Sequence, residues 1–107
     1  MAYDHGLAER MADALISMGE RGIRQKNVFG GRGFLIGKSM FAVAWEDGMI
    51  VKATPADYPA FLKEPGVTPF TPGGEKRMTT WLVVQSDAIA DDPELSEWLR
   101  RALRAVR

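Results

Sequence analysis

Gly30-Gly31-Arg32-Gly33 is the stretch of this chain most suggestive of chemistry, because successive backbone N–H groups in a glycine-rich turn can form a nest for an anion. A dinucleotide or Walker loop, however, needs a strand before it and a helix after it, the latter with a lysine and a hydroxyl. Here a strand-like run follows, so the glycines are expected to let the chain bend tightly into the first strand. Arg32 lies between glycines, with Arg24, Lys26 and Lys38 near in sequence, and offers a fork that suits phosphate or carboxylate. Arg24, Lys26, Arg32 and Lys38, together with Trp81, are the residues expected to contact an anion or a partner.

The other candidates have structural explanations. His5 is the only histidine, and base catalysis or metal binding would need carboxylates or further ligands around it; at a terminus it reads as a surface residue. The pairs Asp91-Asp92 and Glu46-Asp47 suit a helix start and a hairpin turn. Arg100, Arg101, Arg104 and Arg107 could follow nucleic-acid phosphates, yet cations near a helix C-terminus also complement its dipole, and their stems cover apolar surface. Of the three tryptophans, Trp45 and Trp98 fall on apolar stripes and are expected in the core. Trp81 is left open; if it and Thr79 lie on the sheet face away from the helices, that open face is the natural place for a partner or a second copy. No catalytic residue, cofactor site or metal site is assigned.

Composition narrows the class. The chain has 107 residues, 46% apolar and 26% charged, which fits one ordinary globular domain spanning 1–107. It has no cysteine, so disulfides and thiolate chemistry are excluded. Its formal net charge is zero, against a general electrostatic grip on nucleic acid or anionic membrane. Locally, residues 20–38 are basic and residues 39–75 lean acidic. No signal-like run and no stretch near the ~20 apolar residues of a membrane span is present; a soluble, cytoplasmic protein is expected.

The elements that must position these residues follow from periodicity. Residues 4–18 read as an amphipathic helix with Leu7, Met11, Ala14, Leu15 and Met18 on one stripe and Asp4 as its cap. The basic stretch RGIRQKN reads as a connection. The period then changes to two, and a meander is expected over Gly33 to Ile36, Ser39 to Trp45 and Met49 to Ala53, with Phe41, Val43 and Trp45 on the large-residue face toward the helices and turns at Gly37-Lys38 and Asp47-Gly48. Thr54-Pro55 opens a short helix anchored by Phe61 and Leu62. Val67 to Gly74 is a brief edge strand or extended segment, Lys76 to Gln85 the last strand, and Asp92-Pro93-Glu94 starts a helix with Leu95, Trp98, Leu99, Ala102, Leu103 and Val106 along one stripe.

With that order established, FGGRGFLIGKSMFAVAWEDGMIVKA, then PADYPAFLKEPGVTPF, the strand from Met78 to Trp81 and the closing DDPELSEWLRRAL resemble the TfoX N-terminal domain family, over about Met11 to Leu103. Phe29, Gly30, Gly31, Gly33, Gly37, Met40, Phe41, Gly48 and Lys52 carry the match and look structural. The resemblance implies an α+β two-layer sandwich: an antiparallel sheet of four to five strands with helices on one face, in the order α-β-β-β-α-β(-β)-α, similar to the type III secretion chaperone fold. The competence regulators of this family usually carry a second, helical domain, whereas a stand-alone N-terminal domain is expected here. Those regulators are bacterial, act through other transcription factors, and supply no catalytic motif to carry over.

The expectation is therefore a non-enzymatic protein-interaction or regulatory domain with no cofactor, linked to transcriptional regulation of DNA uptake, whose partner is another protein or a second copy of itself. One alternative is a nucleic-acid-binding module that uses the basic 21–38 segment and the C-terminal arginines. A second is a small-molecule or enzymatic pocket near Gly30–Gly33.

Overall fold

Asp4 caps the first helix as its sequence position suggests: its Oδ1 accepts a hydrogen bond from the Leu7 amide at 3.1 Å, satisfying one of the free N–H groups of the first turn. The computed structural model describes residues 3–28, 30–71 and 80–107. Helix α1 runs His5–Ser17 and buries Leu7, Ala8, Met11 and Leu15. The strands are β1 Ile23–Val28, β2 Gly31–Ile36, β3 Ser39–Ala44, β4 Gly48–Lys52, β5 Val67–Pro69 and β6 Trp81–Gln85. A short helix α2, Tyr58–Phe61, stands between β4 and β5. After β6, a 3-10 turn at Ser86–Ile89 leads to the closing helix α3, Asp92–Val106.

All strand pairs are antiparallel and form one sheet in the order β1-β2-β3-β4-β6-β5. The α+β sandwich thus stands, with one strand more than expected. The extra strand is β1, in the segment expected to be a connection. Its side chains are exposed except for partly buried Ile23 and Val28 at its ends, so a strand at the margin of the sheet carries none of the apolar alternation by which a half-buried strand is read.

The main core lies between the sheet and the pair α1 and α3. Phe34, Phe41, Met11, Leu15, Met49, Leu82, Leu95 and Leu99 are completely enclosed there, and Trp98 joins them. A second, smaller cluster covers the other face of the sheet: Val43, Ile50, Phe70 and Val83, with Val28, Met40, Trp45 and Trp81 packed against it.

The face assignment in β3 departs from simple alternation. Phe34 faces Ala42 while Leu35 faces Met40, so Phe41 is an extra residue, a β-bulge. It turns Phe41 onto the same side as Ala42 and Ala44, into the main core, and leaves Met40, Val43 and Trp45 on the far side. Trp45 is therefore a member of the second cluster, set edge-to-face on Phe70 with ring centroids 5.8 Å apart. The strict period-two reading misses this because a bulge shifts every later side chain by one face.

Helix α2 begins later than its proline suggests. Thr54 Oγ1 accepts from the Asp57 amide at 3.1 Å, and the Thr54 carbonyl accepts from Tyr58 at 3.0 Å. Residues 54–57 form a turn, and the helix proper starts at Tyr58 with Pro59 in its first turn. Phe61 anchors it as expected, and Tyr58 is buried as well. Lys76, Met78 and Thr79 of the expected last strand, and Phe29, lie outside the described residues.

Candidate functional site

The cations flagged in the sequence gather around the β1 edge. Val28 faces Gly31, and the register runs back through Lys26 opposite Gly33 to Arg24 opposite Leu35. Arg24 donates from its guanidinium to the carbonyl of Gly37, in the β2–β3 turn that also carries Lys38. Positive φ at Gly37, 61°, closes that turn. Arg32 points to the helix side of the sheet, where its Nη1 donates to Asn27 Oδ1 at 3.1 Å. Arg24, Lys26 and Lys38 thus stand together, with Arg32 at the other end of the strand pair and on the opposite face.

Trp81 does not join them. It belongs to β6, four strand intervals from β1 and about 19 Å away at ordinary strand spacing. It lies on the face turned from the helices, packed against the second cluster, with Lys52 Nζ 4.9 Å from its ring centroid.

The cations of the β1 edge differ in state from those of α3. The arginines of α3 are engaged within the fold: Arg100 with Glu97 at 2.9 Å, Arg101 with Glu64 at 2.9 Å and Glu97 at 3.2 Å, Arg104 with Asp57 at 3.7 Å, and Arg107 with Glu20. Arg10 likewise holds Asp92 and the carbonyls of Ile89 and Ala90, tying α1 to the 3-10 turn. Among the described residues, no carboxylate pairs with Arg21, Arg24, Lys26, Arg32 or Lys38. The two basic clusters approach one another at Glu20, whose carboxylate is taken by Arg107.

Beside β1, on the helix side, lies a concavity of about 190 Å³ lined by Ala12, Leu15, Ile16, Ile23, Gln25 and Phe34, among others. Ile16 is 72% exposed, the large apolar side chain that stands in solvent among the described residues. The sequence signal for it was present: Ile16 falls off the stripe of Leu7, Met11 and Leu15, on what should be a polar face. Its neighbour, the edge strand, carries no signal in the sequence because the middle of β1 is exposed on both faces.

The glycine corner works by close packing. A methyl group on Gly31 would sit 2.4 Å from the Ala44 carbonyl oxygen and 2.9 Å from Val43 Cγ1. On Gly33 it would meet Met40 Sδ at 2.6 Å and Val28 Cγ1 at 2.8 Å. The space a side chain would need at these two glycines is filled by Val28, Met40, Val43 and Ala44. Only Gly30 of this run has positive φ, 75°, so Gly31 and Gly33 serve as places where neighbouring side chains and backbone come close, and not as a bend.

A larger cavity, about 470 Å³, opens at the β3–β4 turn between Trp45, Asp47, Thr68, Phe70, Gln85 and Asp87, among others. Its polar residues are exposed. Tyr3 stacks on His5 with centroids 4.3 Å apart. Among the described residues, no three His, Asp or Glu side chains gather to hold a metal ion, and no helix is long and apolar enough to cross a membrane.

A family model described as the TfoX N-terminal domain matches residues 14–106. No curated protein and no solved structure matches the chain significantly.

Proposed function

We propose that this chain, which belongs to the TfoX N-terminal domain family, is a recognition domain that binds another protein at the basic β1 side of its sheet and turns over no substrate. The observation that carries the reading is the segregation of charge. Cations on α3 are paired inside the fold, whereas Arg24, Lys26, Arg32 and Lys38 flank a strand at the sheet margin with no carboxylate partner among the described residues. Unneutralised charge of one sign next to a free strand is suited to steering and orienting a partner of opposite sign. The TfoX N-terminal domain is not a known enzyme family, which fits recognition without catalysis. The reading extends to a cytoplasmic role in bacterial gene regulation, in the control of DNA uptake, with family membership as its support.

The test is cross-linking with mass spectrometry in the native host. It compares the wild type with Arg24→Glu/Lys26→Glu and with Lys63→Glu, a charge change away from the edge. Cross-links that map to β1 and vanish only in the double variant are expected; retention in the double variant overturns the reading. Fluorescence anisotropy with single- and double-stranded DNA should show no saturable binding at ordinary salt, and tight binding that falls steeply with salt would assign the cations to phosphates instead.

A further inference from the structure

The two margins of the sheet are built differently. β5 is three residues long and ends in Pro69, which has no N–H to donate. β1 is six residues long and has no proline. Because Val28 faces Gly31 across only two residues, the bonded pairs of this ladder are Val28–Gly31, Lys26–Gly33 and Arg24–Leu35. The N–H and C=O groups of Ile23, Gln25 and Asn27 therefore point away from β2, and among the described residues none has a backbone partner.

The surfaces on either side of that row differ in chemistry. On the helix side, Ile23 and Gln25 border the apolar concavity that ends in exposed Ile16. On the other side, Arg24 and Lys26 stand without carboxylates, with Lys38 close by through the Arg24–Gly37 bond. A strand laid along β1 would send alternate side chains to these two sides.

Resting on the reading that β1 is the contact surface, we infer that β1 accepts an extended segment of another protein as a seventh strand, and that this segment alternates apolar with acidic residues. The apolar set lies over Ile16 and Ile23, and the acidic set meets Arg24 and Lys26. Charge complementarity selects this occupant over a second copy. An antiparallel β1–β1 pairing that keeps both helix layers on one side sets Arg24 against Lys26, or Lys26 against itself, and like charges directly opposite destabilise a ladder.

The probe is a blocked ten-residue peptide alternating valine and glutamate, with a valine–lysine peptide as control, added to the isotope-labelled full chain and followed by amide hydrogen exchange in NMR. The expected result is saturable binding of the glutamate peptide, with exchange at Ile23, Gln25 and Asn27 slowed by about ten-fold or more while Arg24, Lys26 and Val28 hold their existing protection. Gln25→Pro removes one outward N–H and leaves the β1–β2 ladder intact, so it should weaken binding by about ten-fold. Should that variant misfold, N-methylation of the peptide's valine amides blocks the same bonds from the other partner.

Wild-type binding that leaves these three amides unprotected, or that survives both blocks, overturns strand addition while leaving a charge-guided contact in place. Absence of binding to the glutamate peptide overturns the inference outright. Protection that arises without peptide and rises with protein concentration gives the edge to a second copy, and also overturns it. Failure of the broader reading is seen separately, as native cross-links that ignore Arg24→Glu/Lys26→Glu.

Discussion

Replacing Arg101 by alanine tests whether the α3 arginines belong to the fold. Its guanidinium lies 4.7 Å from the ring centroid of Phe61 and 4.5 Å from that of Trp98, two rings that themselves meet edge-to-face at 5.4 Å. It also donates to both carboxylate oxygens of Glu64, at 3.0 and 2.9 Å. The Arg101 side chain is 21% exposed and that of Glu64 38%, so solvent screens the ion pair and holds it to no more than about 1 kcal/mol. The two ring contacts contribute about 0.5–1 kcal/mol each. Arg101→Ala should thus cost about 1–3 kcal/mol, a drop in Tm of about 5–15 °C for a domain of this size. Arg101→Lys keeps the charge but loses the fork and the planar stacking, and should cost about 1 kcal/mol. Urea unfolding followed by tryptophan fluorescence measures both, and a double-mutant cycle with Glu64→Gln isolates the pair. A cost for Arg101→Ala below about 0.5 kcal/mol, within the range of ordinary surface changes, would refute the reasoning. It would also return the C-terminal arginines to the list of groups free to meet phosphate.

Gly31→Ala drives a methyl into the Ala44 carbonyl and should lose about 2–3 kcal/mol by overpacking; thermal unfolding within a degree or two of wild type would contradict the close contact. Tyr58→Phe removes a buried hydroxyl with no hydrogen-bond partner among the described residues and should gain about 1 kcal/mol; a loss in denaturant titration would reveal a bond to that oxygen. Asp4→Ala forfeits the bond to the Leu7 amide and should cost about 1 kcal/mol, with faster hydrogen exchange at Leu7 as the local readout. Arg10→Ala releases the tie from α1 to the carbonyls of Ile89 and Ala90 and should cost about 1–2 kcal/mol, read as a lower urea midpoint.

The parts of the fold legible in the sequence are those with one wet and one dry side. The stripes Leu7–Met11–Leu15 and Leu95–Trp98–Leu99–Ala102–Leu103 mark α1 and α3 because each helix buries one face on the sheet. Leu82 and Val84 against Trp81 and Val83 divide β6 between two clusters as alternation requires. What escaped was local geometry that alternation does not encode. Phe41 carries no mark in the sequence that it is an extra residue, so strict alternation assigns Phe41 and Met40 to their true faces and reverses every residue of β3 after them. β1 has no dry side along its middle, so IRQKNV reads as a polar connection. For the same reason, Arg24, Lys26, Arg32 and Lys38 were legible as a basic group but not as the flank of a strand, and Ile16 was passed over. The glycines of the GGRG run suggest a tight bend, although the constraint on Gly31 and Gly33 comes from Val43, Ala44, Met40 and Val28, which are distant in sequence or on the facing strand.

Pro69 on the three-residue β5 limits the stoichiometry of any assembly built through this sheet. Head-to-tail growth into filaments needs both margins to accept a strand, because an open contact must repeat from one molecule to the next. With an imino acid on the opposite margin, the strand addition proposed for β1 has no equivalent acceptor at β5.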